Sequence, residues 1–206
     1  MPESKTILLV EDEALIALHE KRILEQAGYR VEHVRTGEMA VSIVCYQDTP
    51  PIDLILMDID LGPGIDGTQA AQQILARRDI PIIFLSMHTE QEWVDRTEQI
   101  TSYGYIVKGS GTNVLLASIK MAFKLHQAHA RLHESEDRYR MLVENSTNSI
   151  GIHCEGKVVY ANPAALKLFK ASRLEDVLGM PVFNLVHPDY RAAAIARVKA
   201  TYERQA

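Results

Sequence analysis

Asp53-Leu54-Ile55-Leu56-Met57-Asp58 is the stretch on which the fold turns. Four consecutive apolar residues between two aspartates suit a strand buried on both faces, because a strand with one wet face would alternate apolar and polar side chains. The pattern predicts a strand over 53–57 with Asp58 at its carboxyl end.

Similar short runs occur on either side, at Thr6–Val10, Arg30–Val34, 81–85 and Gly104–Val107. Stretches of helical length separate them. Ala14–Gln26 ends just before Gly28, a suitable C′ residue, while Gly37–Tyr46, 67–77 and 90–100 carry apolar residues at spacings of three and four. Strands alternating with helices in this way predict an α/β fold, a doubly wound five-stranded parallel sheet.

Ligands of an open parallel sheet sit outside the carboxyl ends of its strands. Glu11 and Asp12 follow the first strand, Asp58 ends the third, Ser86 follows the fourth and Lys108 ends the fifth. Three acids, a hydroxyl and an amine are therefore expected at one rim. Clustered carboxylates repel one another and call for a divalent cation, and an all-oxygen, partly hydrated site favours Mg2+ over zinc. Lys108 and the cation would offset charge on the oxygens of a transferring phosphoryl group, and Ser86 would hydrogen-bond one of them after transfer. Taken singly, each of these residues also reads as an ordinary strand-end or helix-cap group. It is their joint placement that argues for chemistry.

Leu8-Leu9-Val10-Glu11-Asp12-Glu13, Leu56-Met57-Asp58-Ile59-Asp60-Leu61, Phe84-Leu85-Ser86 and Tyr105-Ile106-Val107-Lys108 resemble the receiver domain of two-component response regulators, a flavodoxin-like fold, over residues 4–126. The resemblance implies that Asp58 accepts phosphate from a phosphohistidine on a histidine kinase or phosphotransfer protein. It also implies that Glu11, Asp12 and Asp58 hold Mg2+ together with the backbone carbonyl of Asp60. Lys108 would pair with the phosphoryl group. Ser86 and Tyr105 would then shift, carrying the event to the face made by the fourth helix, fifth strand and fifth helix. His88 and Asp60 stand where the family tunes dephosphorylation. The sequence departs from the family pattern twice: Gly109 follows Lys108 where a cis-proline is usual, and Met87 follows Ser86 where a small residue is usual. The Lys108–Gly109 bond is thus either trans or a costly cis, and Met87 is expected to crowd access to Asp58.

From Thr112 the chain shows no glycine or proline until Gly151, too long for one helix on a small sheet. Leu125, Leu132 and Tyr139 share one heptad position, with Met121, Ala128, Ser135 and Leu142 on the other. Both a solvated linker over 127–138 and a self-pairing helix that makes a homodimer fit this pattern. After it, apolar alternation at 149–153, a turn at Glu155-Gly156 and a run at 158–161 predict a β-hairpin. Short helices are predicted at Pro163–Phe169, 174–177 and 188–204. Gly156-Lys157-Val158-Val159-Tyr160-Ala161-Asn162-Pro163, with Leu178-Gly179-Met180-Pro181 and His187-Pro188-Asp189, resembles the opening of a PAS sensory domain over 139–206. Two of that family's five strands are visible, so the segment reads as part of a longer α+β domain. His153 and His187 read as structural or exposed residues rather than haem ligands.

The 206 residues carry a net charge of −5 without a basic stripe, so no nucleic-acid partner is expected. Cys45 and Cys154 stand far apart and suggest neither a disulfide nor a zinc site. A polar start and the lack of a long apolar run point to a cytoplasmic protein with no membrane partner.

These features support a phosphoacceptor switch, itself not an enzyme. Two enzymatic readings stand beside it. One is the regulatory front of a sensor histidine kinase. The other is a metal-dependent phosphatase, which would want an acid two residues after its nucleophile, as Asp60 is.

Overall fold

The computed structural model describes residues 4–46, 51–87, 100 and 103–203, with side chains to 197. Two compact units form, Met1–Arg131 and Leu132–Ala206.

In the first unit, β1 (Thr6–Val10), β2 (Arg30–Val34), β3 (Leu54–Asp58), β4 (Ile82–Ser86) and β5 (Gly104–Val107) make an all-parallel sheet in the order β2-β1-β3-β4-β5. Side chains alternate across a strand, so each apolar run feeds two cores at once. Leu8, Val10, Ile55, Met57 and Phe84 pack under α2 (Gly37–Tyr46) and α3 (Gly67–Leu75). Ile7, Leu9, Leu54, Leu56 and Ile83 pack under α1 (Ala14–Gln26) and the start of α4 (Thr112–Glu144). This is why β1, β3 and β4 are buried at every position.

The third and fourth strands lie one residue later than predicted. The ladder pairs Asp58 with Leu85 and Ser86 with Val107, and backbone bonds from Ile59 N to Leu85 O (3.1 Å) and from Lys108 N to Ser86 O (2.7 Å) extend it further. Apolar runs alone end too early, because pairing carries the polar residues into the strand. The helix predicted over 67–77 stops at Leu75, and the one over 90–100 lies outside the described residues, as does His88. Asp66 caps α3, its carboxylate accepting from Gln69 N at 2.8 Å.

Helix α4 buries Leu115, Ile119 and Ala122, then continues with Leu125, Leu132, Tyr139 and Leu142 exposed. It ends at Glu144, where Asn145 Nδ2 donates to Met141 O at 2.8 Å and closes the last turn.

In the second unit, β6 (Gly151–Cys154) and β7 (Lys157–Ala161) form an antiparallel hairpin. Glu155 and Gly156 both have positive φ, 51° and 76°, as a two-residue type I′ turn requires. Helix α5 (Pro163–Phe169), two 3₁₀ turns at Leu174–Asp176 and Val182–Leu185, and α6 (Pro188–Glu203) follow. The stretch predicted as a helix over 174–177 is the first of those turns. The buried apolar centre is small: Val158, Ala161, Ala165 and Val177.

Candidate functional site: an acidic rim with one lysine

Glu11 leaves β1 fully buried, Asp12 follows half-buried, and Asp58 ends β3 at 3% exposure. Each offers a carboxylate oxygen within 4.8 Å of the others; among the described residues this is the one group of three or more acidic, His or Cys ligands so placed. Lys108 reaches back from the end of β5, its Nζ 2.6 Å from Glu11 Oε2 and 2.8 Å from Asp58 Oδ2. The second Asp58 oxygen, Oδ1, accepts from Asp60 N at 3.2 Å. Backbone contacts fix the acid turn: Arg35 donates to Asp12 O at 2.9 Å, and His33 Nε2 lies 2.8 Å from Glu11 O.

Burial pushes Asp58 upward from the ordinary carboxylate range, against the hydrogen bond and charge of Lys108 that pull it down. Glu11 rises for the same first reason, with the Asp58 charge adding to it. For Lys108 burial acts downward, but the bonds to Asp58 and Glu11 outweigh it and the ammonium form gains. Three carboxylates against one ammonium leave an excess of negative charge in a desolvated place. Hard oxygen donors converging there fit a divalent cation such as Mg2+.

Ser86 ends β4 fully buried beside Val107 of β5, and Tyr105, half-buried in β5, pairs in register with Phe84. Met87, the next residue after Ser86, is 67% exposed at the rim. The Lys108–Gly109 peptide is trans, as are all those described, and Gly109 takes a left-handed φ of 85° that no proline could adopt. Sequence reasoning missed Gly67 and Glu20. A Cβ on Gly67 would lie 1.9 Å from Asp58 O, so glycine is what lets α3 pack against the carboxyl end of β3. Glu20 sits on the buried stripe of α1 with Ala17 and Leu24, where the three- and four-residue spacing marks a polar residue out of place.

A five-stranded parallel sheet with this acid, hydroxyl and lysine rim defines a receiver of the two-component type. The response regulator receiver domain family matches residues 7–120, and the PAS fold matches 137–206. The chain belongs to the response regulator receiver family, with a PAS region following. It is 30% identical over 119 residues to the transcriptional regulatory protein PdtaR of Mycobacterium tuberculosis, covering 57% of this chain and 56% of that one. The chain thus spans about half the length of the curated relatives it matches. Among solved structures, the N-terminal domain of a response regulator/sensory box/GGDEF three-domain protein from Carboxydothermus hydrogenoformans is 42% identical, with TM-score 0.57, covering 61% of this chain and 99% of that one. The receiver domain of sensor histidine kinase PA1611 from Pseudomonas aeruginosa, solved with a magnesium ion in its active site cleft, is 30% identical with TM-score 0.53, covering 59% and 98%. Among the described residues no helix is long and apolar enough to cross a membrane.

Proposed function

We propose that this chain is a cytoplasmic phosphoacceptor switch in which Asp58 receives a phosphoryl group from a phosphohistidine on a histidine kinase or phosphotransfer protein. The observation that carries this reading is Lys108 bridging Asp58 and Glu11 inside a buried acid cluster. A carboxylate oxygen of Asp58 bonds to phosphorus as the donor's phosphorus–nitrogen bond breaks. The electron pair leaves with the imidazole, which takes a proton from solvent, and an acyl phosphate remains. Glu11, Asp12 and Asp58, with the backbone carbonyl of Asp60, would hold Mg2+, which when bound neutralises charge on the incoming group. Lys108 then turns from Asp58 to the phosphoryl oxygens, Ser86 donates its hydroxyl to one of them, and Tyr105 changes rotamer to pass the event outward. Met87 and His88 set access and lifetime.

Output runs along α4. The domains are taken as a receiver over 4–126, a helical linker over 127–138 and a PAS region over 139–206. Exposed Leu125, Leu132 and Tyr139 at heptad spacing support pairing of this helix between two copies of the chain. Light scattering on the purified protein checks this: a dimer is expected, and a strict monomer at high concentration ends the idea.

Incubation with acetyl phosphate and Mg2+ should add one phosphoryl mass to the chain and none to Asp58→Asn. Equal labelling of the variant would place the acceptor elsewhere. The switch reading also requires that the chain be labelled without continuous turnover of p-nitrophenyl phosphate. Steady hydrolysis would instead favour a phosphatase.

A further inference from the structure

Between β2 and α2 the chain makes a short turn, residues 35–36, that supplies none of the ligands assigned to Mg2+ yet lies between the two loops that do. On the β1 side, Arg35 donates to Asp12 O at 2.9 Å, next to the ladder bond from Glu11 N to Val34 O at 3.0 Å. On the β3 side, the Glu38 carboxylate accepts from Ile65 N at 2.8 Å, in the loop that runs from Asp60 to α3. Thr36 fixes the turn itself, its hydroxyl accepting from Met39 N at 3.2 Å in the first turn of α2.

Close approaches build these contacts into the backbone. A Cβ on Gly64 would stand 2.5 Å from Glu38 Oε1, and one on Gly37 would stand 2.8 Å from the Ile65 side chain. Glycine at both places lets α2 and the loop close on each other. Nearer Asp60, a Cβ on Gly62 would lie 3.2 Å from Asp12 Oδ2, so the loop also runs against the acid that Arg35 grips. The bond from Ile65 N is the first cause that holds Glu38 below the ordinary carboxylate range, as a charge-assisted contact does.

We propose that Arg35 and Glu38 are positioning residues that clamp the two Mg2+-binding loops at a fixed separation, Arg35 by the carbonyl of Asp12 and Glu38 by the amide of Ile65. The clamp rests on the metal site of the phosphoacceptor reading. Mg2+ demands near-octahedral geometry with short bonds, so drift of either loop lowers affinity. Both side chains are exposed, and substitutions at such places change folding stability little. Their effect therefore falls on ion binding rather than on the fold.

The full chain, labelled with nitrogen-15, is titrated with MgCl2 while the amide shifts of Asp12 and Asp60 are followed. Arg35→Ala and Glu38→Ala should each weaken binding about tenfold, the lower end of what losing a group that orients metal ligands costs. Thermal midpoints without Mg2+ should stay nearly unchanged. Charge alone predicts the opposite for Arg35, since removing a cation beside a cluster of acids favours a divalent ion. Glu38→Gln keeps an acceptor for Ile65 N without the charge and should recover most of the affinity that Glu38→Ala loses. Equal or tighter binding by Arg35→Ala overturns the clamp. So does equal weakening by the Gln and Ala variants of Glu38, or weakening that tracks a fall in the midpoint without the ion. The unmutated chain separates the two readings: shifts that never saturate there overturn the metal site and the clamp together, whereas saturable shifts with unchanged variants overturn the clamp alone.

Discussion

The two units hold themselves together by different means. In the first, β1, β3 and β4 are buried at all five positions, and their alternating side chains supply two apolar layers. In the second, β6 has no buried residue, β7 has two, and four buried apolar residues make the centre. A two-stranded sheet has little apolar area to stabilise it. Polar geometry takes over that task. Asn162, fully buried, accepts from Ile150 N and Ala165 N at 2.9 Å each and donates to Val143 O at 3.0 Å and Asn148 O at 2.9 Å. One amide thereby ties the end of α4, the loop after it and the N-terminus of α5. Tyr160 adds a bond to Glu144 at 2.5 Å, which pushes its phenol up to about 12. A unit built on area should tolerate loss of a polar contact and fail on overpacking. One built on a polar joint should do the reverse.

The largest expected effect is in the first unit. Gly67→Ala puts a methyl where Asp58 O already stands, and backbone on both sides leaves no flexible side chain to yield. The added bulk should destabilise the receiver by about 3 kcal/mol or more, read as a lower thermal midpoint by circular dichroism, and should reduce labelling because Asp58 is displaced. An unchanged midpoint would mean that area, not close approach, fixes α3.

Next in size is Asn162→Ala, which deletes the cap of α5, strands the buried Ala165 N–H, and leaves the part-buried Ile150 N–H and two carbonyls to find other partners. The buried bond from Ala165 N, which is also the cap, costs about 1–2 kcal/mol to lose, and water can take over much of the part-buried remainder, so the total stays below that of Gly67→Ala yet is enough to loosen a small unit. Amide hydrogen exchange should show protection lost over β6, β7 and α5 while β1, β3 and β4 remain protected. Retained protection in the hairpin would show that the four apolar residues suffice and erase the contrast.

The contrast also explains what the sequence made legible. Runs such as Leu54-Ile55-Leu56-Met57 carry the sheet and, through the rule that ligands gather at carboxyl ends, the placement of Glu11, Asp12, Asp58, Ser86 and Lys108 around one rim. The one-residue slip at Asp58 and Ser86 arises because strand ends are decided by pairing with a neighbour, which no local run records. Asn162 was legible only as half of the Asn162-Pro163 pair that carries the resemblance to a PAS opening. Its bonds to Val143 and Asn148 depend on where the chain folds back, so they were not. Gly67 was hidden for a similar reason: only the approach of α3 to Asp58 shows why a side chain is excluded.

The smallest expected effect concerns the rim itself, where the packed unit meets solvent. Met87 follows the buried Ser86 and is 67% exposed, so its side chain contributes little to the core and Met87→Ala should leave the thermal midpoint nearly unchanged. Its influence is expected on rate. In the proposed switch, in-line transfer requires the donor phosphorus to approach an Asp58 oxygen along a clear axis, and a flexible thioether starting one residue from Ser86 would compete for that space. Trimming it should speed labelling by acetyl phosphate a few-fold, on the order of 1 kcal/mol of barrier. Stopped-flow rates at matched donor and Mg2+ concentrations measure this. If the alanine protein is labelled no faster, Met87 lies clear of the approach path and the crowding inferred from the sequence is wrong. A faster rate together with a lower midpoint would show instead that Met87 braces the end of β4, making the rim part of the packed unit.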